Sequence, residues 1–389
     1  PCTLPLMEII VLGLGAMGSA AAAWLAEKGH RVLAFDAFTP PHTHGSSHGL
    51  SRIYRQAYWE DPRYVHLLLR ARELWAKLEH DSGVPLLHIT GALMIGPPTG
   101  QLVPRSAESA RQFNLPHDML SATDLRHRWP AFQVSDDTIA LFEHQAGYLN
   151  PELSIEQQLR HAARHGADLH FNEPILDFQA RPDGVTVRTV RESFTAAHLV
   201  ITAGPWAPQL LAEAQLPLRV TRQIVFWFQP TGSIDAFRPD PNPARFPIYL
   251  WETQRGESML YGFPLTGPDN EGVKVALHGS DETGTPESID RVVRPDDEQR
   301  IRQRLAATLP SLSGRIIRAE TCLYTMTPDE HFVIGAHPQH PAITLALGFS
   351  GHGFKFAPVV GELIGQLVTE GSTSHDIAMF SLTRFNVSS

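Results

Sequence analysis

Glu8-Ile9-Ile10-Val11-Leu12-Gly13-Leu14-Gly15-Ala16-Met17-Gly18 is the stretch on which the reading of this chain turns. Residues 8–12 are a short, mostly apolar run of the kind that forms a buried strand, and the small residues from Ser19 to Lys28 predict a helix. A second strand, Arg31 to Phe35, ends at Asp36. Between the first strand and the helix, Gly13, Gly15 and Gly18 have the G-x-G-x-x-G spacing of a dinucleotide-binding turn. The first glycine allows the tight turn, the second lets backbone approach a pyrophosphate, and the third lets helix pack on strand. The helix N-terminus then stabilises phosphate charge. Asp36 stands where a carboxylate accepts hydrogen bonds from an adenosine ribose. A chance glycine triplet would not bring the flanking strand, helix and acid with it.

Further along, the pattern leaves this unit and returns to it. Pro62 to His80 carries Val65, Leu68, Leu69, Leu74 and Trp75 at helical spacing. Strands and turns are expected over Pro85 to Pro98, mixed helix over Gln101 to Pro130, and a strand over Thr138 to Tyr148. Near Asn150 the texture of the first sheet resumes, with a helix from Pro151 to Gly166 and strands at Asp168 to Phe171 and His198 to Thr202. Leu216 to Arg294 alternates and is rich in aromatics, which suggests an antiparallel sheet. A helix over Asp296 to Leu309 closes it. Ile343 to Leu347, a glycine-rich turn and a helix from Pro358 to Thr369 supply one more strand and helix of the first sheet.

Bulk properties exclude several classes. With 389 residues the chain exceeds the size at which one core stops growing, so two domains are expected. A formal net charge of -9 and the absence of basic runs argue against nucleic acid. Apolar stretches fall short of the roughly 20 residues that span a bilayer. The six residues before Met7 read as an appended leader without signal-peptide character, and the expected location is the cytoplasm. Only Cys2 and Cys322 are present, so no disulfide framework is expected. The histidines, including His42, His44 and His48, lack partners at metal spacing, and no metal site is expected.

The glycine turn alone does not separate a nicotinamide from a flavin. A nicotinamide domain would ordinarily continue with a third strand and helix, whereas this chain departs and returns twice. Such interleaving resembles the glutathione-reductase-like FAD proteins of the D-amino acid oxidase superfamily. Three separated motifs narrow the resemblance. They are Gly45-Ser46-Ser47-His48-Gly49-Leu50-Ser51-Arg52-Ile53-Tyr54-Arg55, Thr321-Cys322-Leu323-Tyr324-Thr325 with Thr327-Pro328-Asp329, and Gly348-Phe349-Ser350-Gly351-His352-Gly353-Phe354-Lys355. In this order they look like the monomeric sarcosine oxidase and N-methyltryptophan oxidase family, from about Met7 to the last helix.

That resemblance implies an α/β fold in which a glutathione-reductase-like FAD-binding Rossmann domain (7–84, 148–216 and 318–389) interleaves with a smaller α+β substrate domain (85–147 and 217–317) built on an antiparallel sheet. It implies FAD contacts from Gly13, Gly15, Gly18, Asp36, Ser46, His48, Arg52, Gly351, Gly353 and Lys355, and covalent attachment through Cys322. A thiolate is the reactive form of such a cysteine. Arg55 and Lys355 would hold a substrate carboxylate, a task suited to a planar, always-charged guanidinium. Arg52 would lie beside the flavin ring. Lys274 would assist oxygen, and His278 and Tyr261 would line the substrate pocket. Leu50 departs from the pattern, since the sarcosine enzymes carry an acid there. The implied activity is FAD-dependent oxidation of a secondary, N-methyl amino acid, with hydride transfer giving an imine and oxygen reduced to hydrogen peroxide, in a monomer. The alternatives are a dehydrogenase using another acceptor, an oxidase of cyclic imino acids such as proline or pipecolate, and a flavoprotein without turnover.

Overall fold

The structure, a computed structural model, describes residues 6–182, 184–239, 246–253 and 258–385. Cys2 and most of the leader lie outside these residues. The opening unit forms as its sequence requires: strand Glu8–Leu12, helix Ala16–Glu27 and strand Arg31–Phe35. The helix begins three residues before the expected Ser19, directly at the glycine turn. A six-stranded sheet grows from this unit in the order Val333–Ala336, Ile343–Leu347, His198–Ile201, Glu8–Leu12, Arg31–Phe35, Asp168–His170. All its pairings are parallel except the edge strand Val333–Ala336, which the sequence reading did not identify.

Helices Pro151–Arg164 and Ala357–Glu370 pack beside Ala16–Glu27. The first has Pro151 at its opening position and Asn150 as cap, whose side chain accepts from the Leu153 N–H at 2.9 Å. The last ends at Gly371, whose left-handed φ of 71° stops it. A Cβ on Gly361 would sit 2.6 Å from backbone of Ala20, so the small face of this helix sets how closely the two approach. Helix Tyr64–Ser82 covers them, burying Val65, Leu68 and Trp75.

The second layer is a nine-stranded sheet in which Arg219–Phe228, near one end, pairs along its length with Ile316–Met326. It is antiparallel as expected, except where Ile248–Trp251 runs parallel to Ala92–Gly96. Residues 318–326, which the sequence reading assigned to the FAD-binding portion, are strand residues of this sheet. The boundary read at 318 falls inside the continuous strand Ile316–Met326. The expected strand over Thr138 to Tyr148 is also divided, into Ile139–Glu143 in the large sheet and Gly147–Leu149 in a small sheet with Arg52–Tyr54 and Leu87–Ile89. Phe132, Phe246, Tyr249 and Trp251 fill the core behind the large sheet with Ile301 and Leu305 of helix Pro295–Thr308. Among the described residues no helix is long and apolar enough to cross a membrane.

Candidate active site

A cavity of about 550 Å³ runs from the glycine turn, past Asp36, to Ser46, Arg52, Tyr324 and Gly351. At its first end, the backbone is shaped for a phosphate. Gly13 has φ of 88°, and its N–H donates to Phe35 O at 2.8 Å, locking the turn to the second strand. A Cβ on Gly18 would lie 1.7 Å from Gly13 O, whereas one on Gly15 would meet nothing within 4 Å. Two of the three glycines are thus demanded by the protein itself, and Gly15 keeps open the space a pyrophosphate needs. Asp36 accepts from the N–H groups of Leu14 at 2.7 Å and Phe38 at 2.9 Å. These contacts hold its carboxylate at the cavity wall. The length, the glycine cradle and the acid fit FAD.

The other end is assembled from long-range side-chain contacts. Arg52 Nη2 donates to Ser46 O at 2.7 Å and reaches Cys322 Sγ at 3.7 Å. His48 is buried, its Nδ1 3.3 Å from Glu320 Oε2 and its Nε2 without a partner. Burial pushes the Cys322 thiol up, but His48, Arg52 and Lys274 outweigh it and bring the thiol down to about 7. Burial likewise disfavours the His48 cation, and Cys322 with Glu320 reverses this, raising it to about 9. A cysteine poised in this way is a nucleophile near neutrality.

Lys274 is 1% exposed and donates to Gly49 O at 2.6 Å and Ser51 O at 2.8 Å. Its ammonium therefore grips the loop that carries His48 and Arg52. Burial, then Arg52, hold its pKa well below the usual lysine value. The same loop is held from behind by Glu152, which accepts from the N–H groups of Gly49 at 2.6 Å and Leu50 at 3.1 Å. Leu50 takes φ of 68°, so its side chain is turned out of the turn while its N–H meets that carboxylate. Leu50 carries no acid, and the carboxylate that meets the loop comes from helix Pro151–Arg164.

Arg55 and Lys355, 300 residues apart in sequence, meet at Tyr58. The guanidinium lies 4.2 Å and the ammonium 5.2 Å from the centre of its ring. Both cations are buried. Lys355 donates to His352 O at 2.6 Å, and the Tyr58 hydroxyl is 2.6 Å from His352 Nδ1. Arg55 is paired with Glu60, while its Nε is buried without a partner. Burial opposes charge on Glu60, yet Arg55, His352 and Lys355 hold its carboxyl at about 2. Burial, then Arg55, depress Lys355 to about 7. Two cations facing one resident carboxylate leave a site with capacity for another.

Aromatic side chains close the space between these groups. His278 lies 6.4 Å from Tyr261 and 5.5 Å from Tyr324, ring centre to ring centre. Burial pushes His278 down to about 4, so it is neutral near pH 7 and adds no charge to the wall. Gly351, with φ of 79°, packs against Tyr324, where a Cβ would come within 2.3 Å of the ring. Gly353 packs in the same way on Phe349.

The sequence-predicted residues thus gather at three places: the glycine turn with Asp36, the surroundings of Cys322, and the surroundings of Tyr58. Sequence reasoning missed Tyr58, Glu60, Glu152 and Glu320. Glu320 had a readable signal, since residues two apart on a strand share a face. Glu60 had none, because its pairing with Arg55 depends on how the loop folds.

The family model described as FAD dependent oxidoreductase matches residues 8–367. Monomeric sarcosine oxidase of Streptomyces avermitilis is 46% identical, over 98% of this chain and 98% of that protein. N-methyl-L-tryptophan oxidase of Yersinia pestis is 34% identical, over 97% and 99%. Among solved structures, NikD, an unusual amino acid oxidase essential for nikkomycin biosynthesis, superposes with a TM-score of 0.84 at 24% identity, covering 96% of this chain and 97% of that one. L-proline dehydrogenase from P. horikoshii gives 0.83 at 22% identity, covering 98% of each. Those two likenesses show the fold, and the sequence matches carry it further: this chain is a member of the FAD-dependent oxidoreductase family and belongs with the monomeric sarcosine oxidases and N-methyl-L-tryptophan oxidases within it.

Proposed function

We propose that this protein oxidises a small secondary amino acid, of the N-methyl type, with FAD held covalently by Cys322 and dioxygen as the final acceptor. The observation that carries the reading is the pair of buried cations, Arg55 and Lys355, meeting at Tyr58, with Gly351, Gly353 and Phe354 of the segment leading into Lys355 lining the FAD cavity. FAD supplies the two-electron acceptor. Arg55 and Lys355 bind the substrate carboxylate, and charge-assisted hydrogen bonds in a buried site fix its orientation as well as its affinity. Tyr261, His278 and Tyr324 form the apolar wall against which the N-substituent lies, and exclude water. His278, neutral near pH 7, avoids repelling the amine.

The substrate amine reacts in its neutral form, losing hydride from the N-CH carbon to leave an imine. Water hydrolyses that imine to an aldehyde and a primary amino acid when the oxidised carbon is N-methyl. Lys274, held by two carbonyls next to Arg52, provides the cationic donor that favours electron transfer to oxygen. Gly13, Gly15, Gly18 and Asp36 bind the dinucleotide part, and Ser46, His48, Arg52, Gly351 and Gly353 surround the ring. The protein works as a monomer.

Steady-state peroxide production on sarcosine, N-methyltryptophan, proline and pipecolate tests this. N-methyl substrates should give one peroxide per amine consumed, and anaerobic mixing should bleach the yellow colour. Bleaching without peroxide would assign electrons to another acceptor. No bleaching with any of the four would remove the amine-oxidase reading.

A further inference from the structure

On strand Ile316–Met326, Arg318, Glu320 and Cys322 alternate onto one face. The contacts follow this alternation. Arg318 Nε donates to Glu320 Oε1 at 2.6 Å, and Glu320 Oε2 is 3.3 Å from His48 Nδ1. The other imidazole nitrogen is buried and has no hydrogen-bond partner, in a ring packed against the Cys322 thiol. The thiol itself donates to Ser46 O at 3.4 Å. The acid therefore contacts the imidazole directly across 272 residues of sequence, and the thiol, on the acid's own strand, meets the imidazole's loop at Ser46.

We infer that Glu320 is a positioning residue that acts through His48 to set the reactivity of the Cys322 thiol toward the cofactor. The inference rests on the reading of Cys322 as the attachment point and names what controls it. A carboxylate on Nδ1 fixes the ring orientation and favours the doubly protonated imidazolium. The imidazolium then stabilises the neighbouring thiolate, which is the nucleophilic form. Attachment replaces the Cys322 S–H bond and one C–H bond of the flavin ring methyl group by a C–S bond. The two protons and two electrons released pass to dioxygen, giving hydrogen peroxide.

Other charges face the same thiol. Arg52 reaches it from strand Arg52–Tyr54, and Lys274 from strand Val273–His278. Tyr261 and Tyr324 also border it. Arg52 favours thiolate independently of His48, whereas Lys274 also feels the Glu320 charge, so the His48→Asn background separates the route through the imidazole from the route through the lysine. His48 faces Cys322, Glu320 and Arg52, so Glu320 is the carboxylate that offsets the repulsion from Arg52.

The test uses the full-length chain prepared without flavin, and iodoacetamide as the probe. Alkylation of Cys322 is followed by peptide mass, which separates it from Cys2, across the neutral pH range. The unaltered chain should show a midpoint near 7. Glu320→Gln should move it up by about one pH unit, a ~10-fold slower reaction at pH below the midpoint, and Glu320→Asp should recover most of the difference. In a His48→Asn background, Glu320→Gln should change nothing further. After FAD is added, flavin retained in the acid-precipitated protein should appear more slowly in Glu320→Gln by the same factor. An unchanged midpoint in Glu320→Gln would overturn the inference, as would a full shift in the absence of His48. If the unaltered chain retains no flavin on precipitation, the reading of Cys322 falls, and the alkylation midpoints decide the role of Glu320 separately.

Discussion

At the glycine end of the cleft, recognition comes from backbone and is built within 30 consecutive residues, whereas at the Tyr58 end it comes from charged side chains contributed by loops 300 residues apart. The first end is intolerant of added atoms at Gly13 and Gly18. The second is roomy in its chemistry and sensitive to charge: Lys355 sits near 7, Glu60 near 2 and His278 near 4, each displaced from its ordinary value by burial and neighbours. A dinucleotide is the same in every turnover and can be met by rigid backbone. A substrate arrives and leaves, so the groups that meet it must be stable both with and without its charge.

Substituting single atoms should expose the contrast at the glycine end most severely. Gly18→Ala drives a methyl group into Gly13 O and Thr202 Oγ1, neither able to retreat without breaking the first strand's register. Overpacking of this kind costs about 1–3 kcal/mol or more, and here it also closes the turn. The variant should yield little soluble protein and no bound flavin by absorbance. Gly15→Ala meets no protein atom. It should fold with a normal melting temperature yet bind flavin poorly. Equal melting temperatures for both variants would mean that Gly18 is not structural.

At the other end, charge removal should matter more than volume. Arg55→Met removes one of the two cations that the proposed function gives to the substrate carboxylate, and it leaves Glu60 buried without its main partner. Truncating one member of a buried charged pair costs about 2–5 kcal/mol, so kcat/KM should fall between roughly 30-fold and several thousand-fold. Stability should fall too, since an uncompensated buried charge is costly. Adding Glu60→Gln should restore the melting temperature without restoring kcat/KM. Recovery of both would show that Arg55 serves the fold rather than the substrate.

The same contrast explains what could be read before the structure was known. The glycine turn, the helix after it and the returning strands were legible because local steric rules and apolar periodicity dictate them. Arg52, Arg55, Cys322 and Lys355 stood out through family motifs, and the structure sets Arg52 beside Cys322 and, separately, Arg55 and Lys355 at Tyr58. Edge strand Val333–Ala336 was not legible, because a short run with Gly335 carries little periodicity. The membership of residues 318–326 in the large sheet was hidden for another reason. Strand pairing is a long-range property, and Cys322 sits on a strand whose ladder belongs to the opposite layer. The same pairing puts Glu320 beside His48.

The smallest of these effects is also the most diagnostic, because it separates Lys355 from Arg55 by the pH dependence of binding alone. Free Lys355 has its pKa lowered to about 7, whereas Arg55 stays charged at every accessible pH. A bound carboxylate adds a counter-charge and raises the lysine pKa in the complex. The complex therefore holds more protons than the free protein above pH 7, and linkage requires affinity to fall as pH rises through that value. Propionate, which has no amine to titrate or oxidise, isolates the effect. Its dissociation constant, read from perturbation of the flavin spectrum, should be flat below about pH 7 and rise toward ~10-fold per pH unit above it. Lys355→Met should weaken binding at low pH and abolish the slope. A slope that survives in Lys355→Met would move the titrating group elsewhere in the site, with the coupled Tyr58, His352 and Glu60 as the neighbours to test next.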